Sequence, residues 1–195
     1  MDFLNLVYLV FAQPRLAFRQ LKEGVPGWWA VAVFGGVQLF GQTLNLAWSR
    51  DLPLTLPFRS ELLASALLLL GIPAALLVWF LEAASWHLLA QLFGGRGWGP
   101  ALFFALGFAH LPLIFGYGLG AVLRLFGHHG AAYPAALLGS YLWVLVLEIL
   151  AVQEVHELSA ARSLAVVLLL PAFLGVVALL GLLALWPALS LGLFG

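Results

Sequence analysis

The sequence contains no cysteine, a single methionine and only 8 % charged residues. Without a thiol there is no disulfide framework, no thiolate metal site and no thiol nucleophile, so any chemistry must use other groups. The scarcity of charge excludes more. Eight Lys and Arg balance eight Asp and Glu, which leaves neither a basic stripe for nucleic acid nor an acidic solvating tail. Nucleic acid is therefore not an expected partner. No Lys or Arg precedes the apolar run from Phe3 to Ala12, so the basic leader of a signal peptide is missing and the chain is expected to stay whole.

What fills the sequence instead is apolar. Hydrophobic residues make up 64 % of the chain, and the mean hydropathy of +1.09 is beyond what a soluble domain with a polar surface carries. Continuous runs of Leu, Ala, Val and Phe reach about 20 residues, the length a helix needs to cross roughly 30 Å of hydrocarbon. They lack the alternation of a barrel strand. The fold class is thus all-α: a polytopic membrane protein with a bundle of five transmembrane helices and an N-terminal amphipathic interfacial helix, with the lipid bilayer as its first partner.

Residues 1–26 form the interfacial segment and 27–195 the five-helix membrane domain. Pro14 can open a short helix and Gly24 close it; Ala17, Phe18, Leu21 and Val25 then share one face, and Arg15, Arg19 and Lys22 the other, the pattern of a helix in the membrane interface. Spans are predicted near 28–48, 61–93, 101–126, 134–152 and 163–186. Trp28, Trp29 and Trp48 anchor the first at its interfaces. The loop after it carries Arg50, Asp51, Pro53, Pro57 and Arg59. The second stretch is about 50 Å long as a helix, more than the bilayer needs, and Pro73 supplies a kink. Gly94, Gly95, Gly97, Gly99 and Pro100 break the helix before the third span, and a polar link over 153–162 precedes the fifth.

Five spans put the termini on opposite sides. An N-terminus in the cytoplasm places Arg15, Arg19, Lys22, Arg96 and Arg162 inside and Arg50, Arg59 and Arg124 outside, the direction of the positive-inside rule.

Against this background the ionisable residues within the apolar stretches stand out. They are Glu82, His87, His110 and Glu148. Alternation of spans brings all four toward one face, where Glu154 and His156 also fall, and defines a candidate polar cluster of Glu82, His87, His110, Glu148 and His156. Mixed His and carboxylate groups suit zinc or another first-row divalent metal, and also proton relay. Hydrogen bonds between helices, or snorkelling of Glu82 and Glu148 to the interface, explain the same residues without a ligand. Glu82 and His87 are five apart, roughly 140° around a helix, and no HExxH or similar ligand motif occurs. No cofactor motif and no catalytic constellation is present: Gly116–Gly120 holds a GxxxG of the helix-packing kind, Ser140 lacks a nucleophile motif, and His128–His129 reads as a loop pair.

Pro14-Arg15-Leu16-Ala17-Phe18-Arg19, followed by Pro26 and Trp28-Trp29, resembles the entry segment of bacterial members of the Yip family, the Ypt/Rab-interacting membrane proteins. His87 to Gly95 with its Gly94-Gly95 turn, then Leu106-Gly107-Phe108-Ala109-His110-Leu111-Pro112, is similar to that family's amphipathic helix end and glycine-to-proline third span. His156-Glu157-Leu158-Ser159 with Arg162 resembles its polar turn before the last helix. The resemblance implies a five-helix Yip domain with a cytoplasmic N-terminus; Pro14, Phe18, Gly94, Gly95 and Pro112 are its motif positions. Eukaryotic relatives act with Rab-type GTPases through a long cytosolic region, whereas residues 1–26 alone precede the first span here, so GTPase binding is not carried over. The expected function is that of a non-enzymatic inner-membrane protein with a membrane-organising or scaffold role, as a homo-oligomer or with a membrane-protein partner. The alternative is a small transporter, channel or lipid-handling protein using the Glu/His cluster, and a metal-dependent membrane enzyme is the third reading.

Overall fold

The computed structural model describes residues 2–24, 26–49, 60–127 and 131–193. Among these residues eight helices follow in order: α1 (Phe3–Ala12), α2 (Pro14–Lys22), α3 (Gly27–Ser49), α4 (Ser60–Leu92), α5 (Gly99–Ala109), α6 (Leu113–Leu125), α7 (Ala132–His156) and α8 (Ala160–Leu193). Among the described residues five stretches are long and apolar enough to cross a membrane: Gly27–Ala47, Leu69–Leu92, Gly99–Leu125, Ala132–His156 and Ala160–Val177. This is the five-helix architecture expected from the hydropathy pattern. The loop carrying Arg50 to Arg59, the His128–His129 pair and Val25 lie outside the described residues.

The third span is the axis of the bundle, with 61 % of it buried against 17 to 33 % of the others. Its first half, α5, packs on α3, α4 and α7 and also meets α1 and α2. Because lipid tails are as apolar as the side chains facing them, such helices are held by close packing rather than by expulsion from water. Small residues allow that packing. Ala101, Ala105 and Ala109 of α5 are fully buried, and a Cβ on Gly107 would lie 2.8 Å from the Trp79 ring and 3.0 Å from the Ala30 carbonyl oxygen. The GxxxG of α6 works likewise: Gly116 faces Ser140 and Gly120 faces the Tyr133 ring, both on α7.

Two boundaries that shape the site differ from the sequence reading. The third span, expected as one helix over 101–126, is divided at His110–Pro112. Proline lacks an amide hydrogen and disfavours helical geometry in the residue before it; the chain passes the break on short-range bonds from Leu113 to the His110 carbonyl and from Ile114 to the Leu111 carbonyl, each 3.1 Å. The fourth span, expected to end at 152, runs as helix to His156, so Glu154 and His156 belong to its last turn and not to the link. That helix closes on Glu157 at a left-handed φ of 57°, and the Leu158 amide returns to the Gln153 carbonyl at 3.1 Å. A helix turn was the cheaper way to satisfy those backbone groups.

α1 and α2 fold back on the bundle. Pro14 sits in the first turn of α2 and Gly24 follows its end at φ 104°, as expected. The apolar face, read from sequence as meeting the membrane interface, is covered by protein: Ala17 and Phe18 are fully buried and Leu21 nearly so, against α5 and α7. On the opposite face Arg19 donates to Glu154 at 2.6 Å, with Arg15 at 3.7 Å from the same carboxylate, and Lys22 pairs with Glu157. The Lys22 ammonium holds the exposed Glu157 carboxyl below its usual range.

Candidate functional site

The five polar residues singled out in the sequence form two groups rather than one. On α4, Trp79, Ala83, Trp86 and Ala90 make the buried stripe at helical spacing. Glu82 flanks this stripe on one side and His87 on the other, as five residues of helix dictate.

The first group joins Glu82 of α4, His110 at the break in the third span and Glu148 of α7. One ligand atom from each lies within 4.8 Å of the others, and His110 Nε2 stands 4.0 Å from Glu148 Oε1. Glu148 sits in the middle of the inward stripe Val144, Glu148, Ala151, Val155 and is 7 % exposed. His110 is oriented by the break itself. Its Nδ1 lies 2.8 Å from the Leu106 carbonyl oxygen; a carbonyl only accepts, so Nδ1 carries the proton and the lone pair of the neutral ring is on Nε2, facing the carboxylates. The Phe34 ring meets His110 edge-on at 4.9 Å and stacks on Trp79 at 4.5 Å; Trp79 stacks in turn on Phe103 at 3.8 Å.

The second group lies at the C-terminal ends of α4 and α7. The Gly97 amide donates to His156 Nδ1 at 3.1 Å, so the neutral His156 ring carries its proton on Nε2, 3.4 Å from His87 Nδ1. His87 Nε2 then faces the Gln91 amide at 3.2 Å. The pair fastens the glycine turn to α7. Gly94, at φ 86°, donates to the Gln91 carbonyl and Gly95 to the Ala90 carbonyl, at 2.9 and 2.8 Å, which is the Schellman closure of a helix. Arg96 then donates to the His156 carbonyl at 3.2 Å, and Arg162 Nη1 reaches the Phe93 carbonyl at 3.3 Å.

Gly97 was not singled out as a site residue, yet it holds this junction together. A Cβ there would lie 2.5 Å from the Val155 carbonyl oxygen and 2.7 Å from His156 Nδ1. Gly97→Ala is expected to cost about 1–3 kcal/mol, read as a lowered unfolding midpoint in detergent micelles. Gly118→Ala, where nothing lies within 4 Å, serves as the control; equal midpoints for the two variants would refute the close-contact account.

Of the motif positions, Pro14 opens α2, Phe18 fills the space under it, Gly94 and Gly95 close α4, and Pro112 makes the break that presents His110. Ser140 is buried against Gly116, a packing position.

A membrane-embedded bundle of five spanning helices, with its third span broken and an N-terminal helix pair docked on one end, defines a multi-pass helical membrane protein. A family model described as the Yip1 domain matches residues 8–183, nearly the whole chain, and the protein belongs to that family. No curated protein and no solved structure matches the chain.

Proposed function

We propose that this is a non-enzymatic, membrane-organising protein of the bacterial branch of the Yip family, seated in the inner membrane with its N-terminus in the cytoplasm. The observation that carries this reading is the gathering of cations at one end of the bundle. Lys22 with Glu157, Arg15 and Arg19 with Glu154, Arg96 with His156 and Arg162 with Phe93 bring five basic residues together. The acidic Glu23, Glu154 and Glu157 only partly balance them. An excess of basic charge beside spanning helices supports a cytoplasmic placement and attracts anionic headgroups or an acidic partner. Arg15 and Arg19 keep more than 60 % of their side chains exposed, so they can serve both Glu154 and an external anion.

Deletion of the gene is expected to change membrane morphology, and the Arg15→Glu/Arg19→Glu variant to fail to restore it while still inserting. Normal morphology in the deletion strain, with no partner recovered from native membranes, would overturn the proposal.

A second reading, a small transporter, channel or lipid-handling protein, is favoured by the convergence of Glu82, His110 and Glu148 at a broken span, because discontinuous helices in transporters expose polar termini at a binding site. Equal background flux and lipid scrambling by wild type, Glu82→Gln and Glu148→Gln in proteoliposomes would end it.

A further inference from the structure

We propose that Glu82, His110 and Glu148 form a binding site for one first-row divalent metal ion, with zinc as the ion best matched to its donors. The three side chains come from three different parts of the chain, α4, the break between α5 and α6, and α7, yet present their ligand atoms within 4.8 Å of one another. Donors held about 2.1 Å from a tetrahedral metal stand roughly 3.4 Å apart. The site therefore closes on an ion by a contraction of at most about 1.4 Å, within the reach of two Glu side chains that turn about their own torsions.

Three further observations point to a cation. The first is the tautomer of His110: Nδ1–H donates to the Leu106 carbonyl, which leaves the Nε2 lone pair aimed at the carboxylates. A metal-bound imidazole is held in this way by an acceptor behind it. The second is Glu148. It is 7 % exposed, and among the described residues it has no hydrogen-bond partner; the neutral His110 ring stands 4.0 Å from its Oε1. A polar group so deeply buried is ordinarily paired, coordinated or bonded. The third is charge balance. Bound as two carboxylates beside a neutral imidazole, the trio sums to −2, which one divalent cation cancels, so the loaded site carries no net charge, the state that burial in a membrane bundle favours.

The donor set selects among cations. One imidazole nitrogen with two carboxylate oxygens suits zinc and its first-row neighbours. Calcium takes six to eight oxygens and magnesium a near-octahedral shell largely of water, and neither seeks a histidine. Three protein ligands leave a fourth position for water or an exogenous ligand. Glu82 remains partly exposed, so the site is not sealed.

Metal binding at this site stands apart from both the membrane-organising and the transport roles, since it is measured without a gradient or a partner. The full chain, with any affinity tag removed, is stripped with a chelator in nanodiscs and titrated with Zn²⁺. About one ion per chain and a raised unfolding temperature are expected. Co²⁺ in its place should give the visible absorption of a four- or five-coordinate nitrogen and oxygen site. Glu82→Gln/Glu148→Gln, which keeps side-chain volume, and His110→Ala should each weaken binding roughly 100-fold or more, at least the effect of removing an outer-shell partner. Should the double variant fail to fold, Glu148→Asp keeps the charge but withdraws the carboxylate by one methylene, and weakened binding by that variant supports the site. No zinc bound to wild type, binding unchanged in the trio variants, or binding lost instead with His87→Phe/His156→Phe or His128→Ala/His129→Ala would overturn it.

Discussion

Trp79→Ala is expected to destabilise the folded bundle by about 3 kcal/mol, the lower end of the range for truncating a large buried aromatic. Trp79 is 1 % exposed and lies between Phe34 and Phe103, at 4.5 and 3.8 Å, directly over Gly107. Truncation leaves a cavity bounded by three helices. In a soluble core the lost transfer from water would add to the cavity cost, but a spanning helix that separates from its neighbours remains in lipid, so the packing loss dominates. Trp79→Phe should cost far less. The Trp79 Nε1 has no hydrogen-bond partner among the described residues, and removing an unsatisfied buried donor returns part of what the smaller ring forfeits. Unfolding in mixed micelles by rising fractions of a denaturing detergent measures both variants. A Phe variant as damaged as the Ala variant would show that the indole nitrogen is satisfied and that the stack alone does not explain the site. The loss also reaches the Glu82, His110, Glu148 group, because Phe34 leans on Trp79 and on His110 at once, so Trp79→Ala should loosen His110 before the bundle opens.

The membrane class, the five spans and their order were legible because each is written in local composition: apolar runs of spanning length separated by glycine, proline and charge. The same locality served the termini of α2, where Pro14 and Gly24 act on their own neighbours, and the turn at Gly94-Gly95. Span alternation brought Glu82, His110 and Glu148 toward one leaflet, but could not divide them from His87 and His156. That division depends on the rotation of α4 about its axis, which the buried stripe of Trp79, Ala83, Trp86 and Ala90 sets through contacts with other helices. The break at His110–Pro112 had a local signal in Pro112, yet a proline can also be absorbed within one helix, as Pro73 is within α4. The role of Gly97 had no local signal, since the backbone it avoids belongs to Val155 and His156, far along the chain. Short-range signals fixed where elements lie; side-chain rotation and distant close approaches decided what they touch.

The N-terminal helix pair shows the consequence. Read alone, α2 has an apolar face and a basic face and would suit the surface of a bilayer; packed, it spends its apolar face on α5 and α7. Phe18→Ala is accordingly expected to cost about 4 kcal/mol, more than Trp79→Ala although the ring is smaller. Phe18 is fully buried on a helix with Arg15, Arg19 and Lys22 beside it, so the undocked segment meets water and headgroups, and the transfer term that lipid cancels around Trp79 applies here in addition to the cavity. The exposed Lys22–Glu157 pair cannot hold α2 in place alone, since such a pair contributes about 0–1 kcal/mol, and the Arg15 and Arg19 side chains that meet the buried Glu154 carboxylate themselves stay mostly exposed. Limited proteolysis of nanodisc-embedded protein should therefore cut the Phe18→Ala chain at Arg15, Arg19 or Lys22 well before wild type, while the five spans stay intact. Leu16→Ala, at a position 40 % exposed, should remain as resistant as wild type. If Phe18→Ala is cut no faster than Leu16→Ala, α2 is held by the membrane surface rather than by the bundle, and the basic end on which the membrane-organising role rests would have to be reassigned to a mobile interfacial helix.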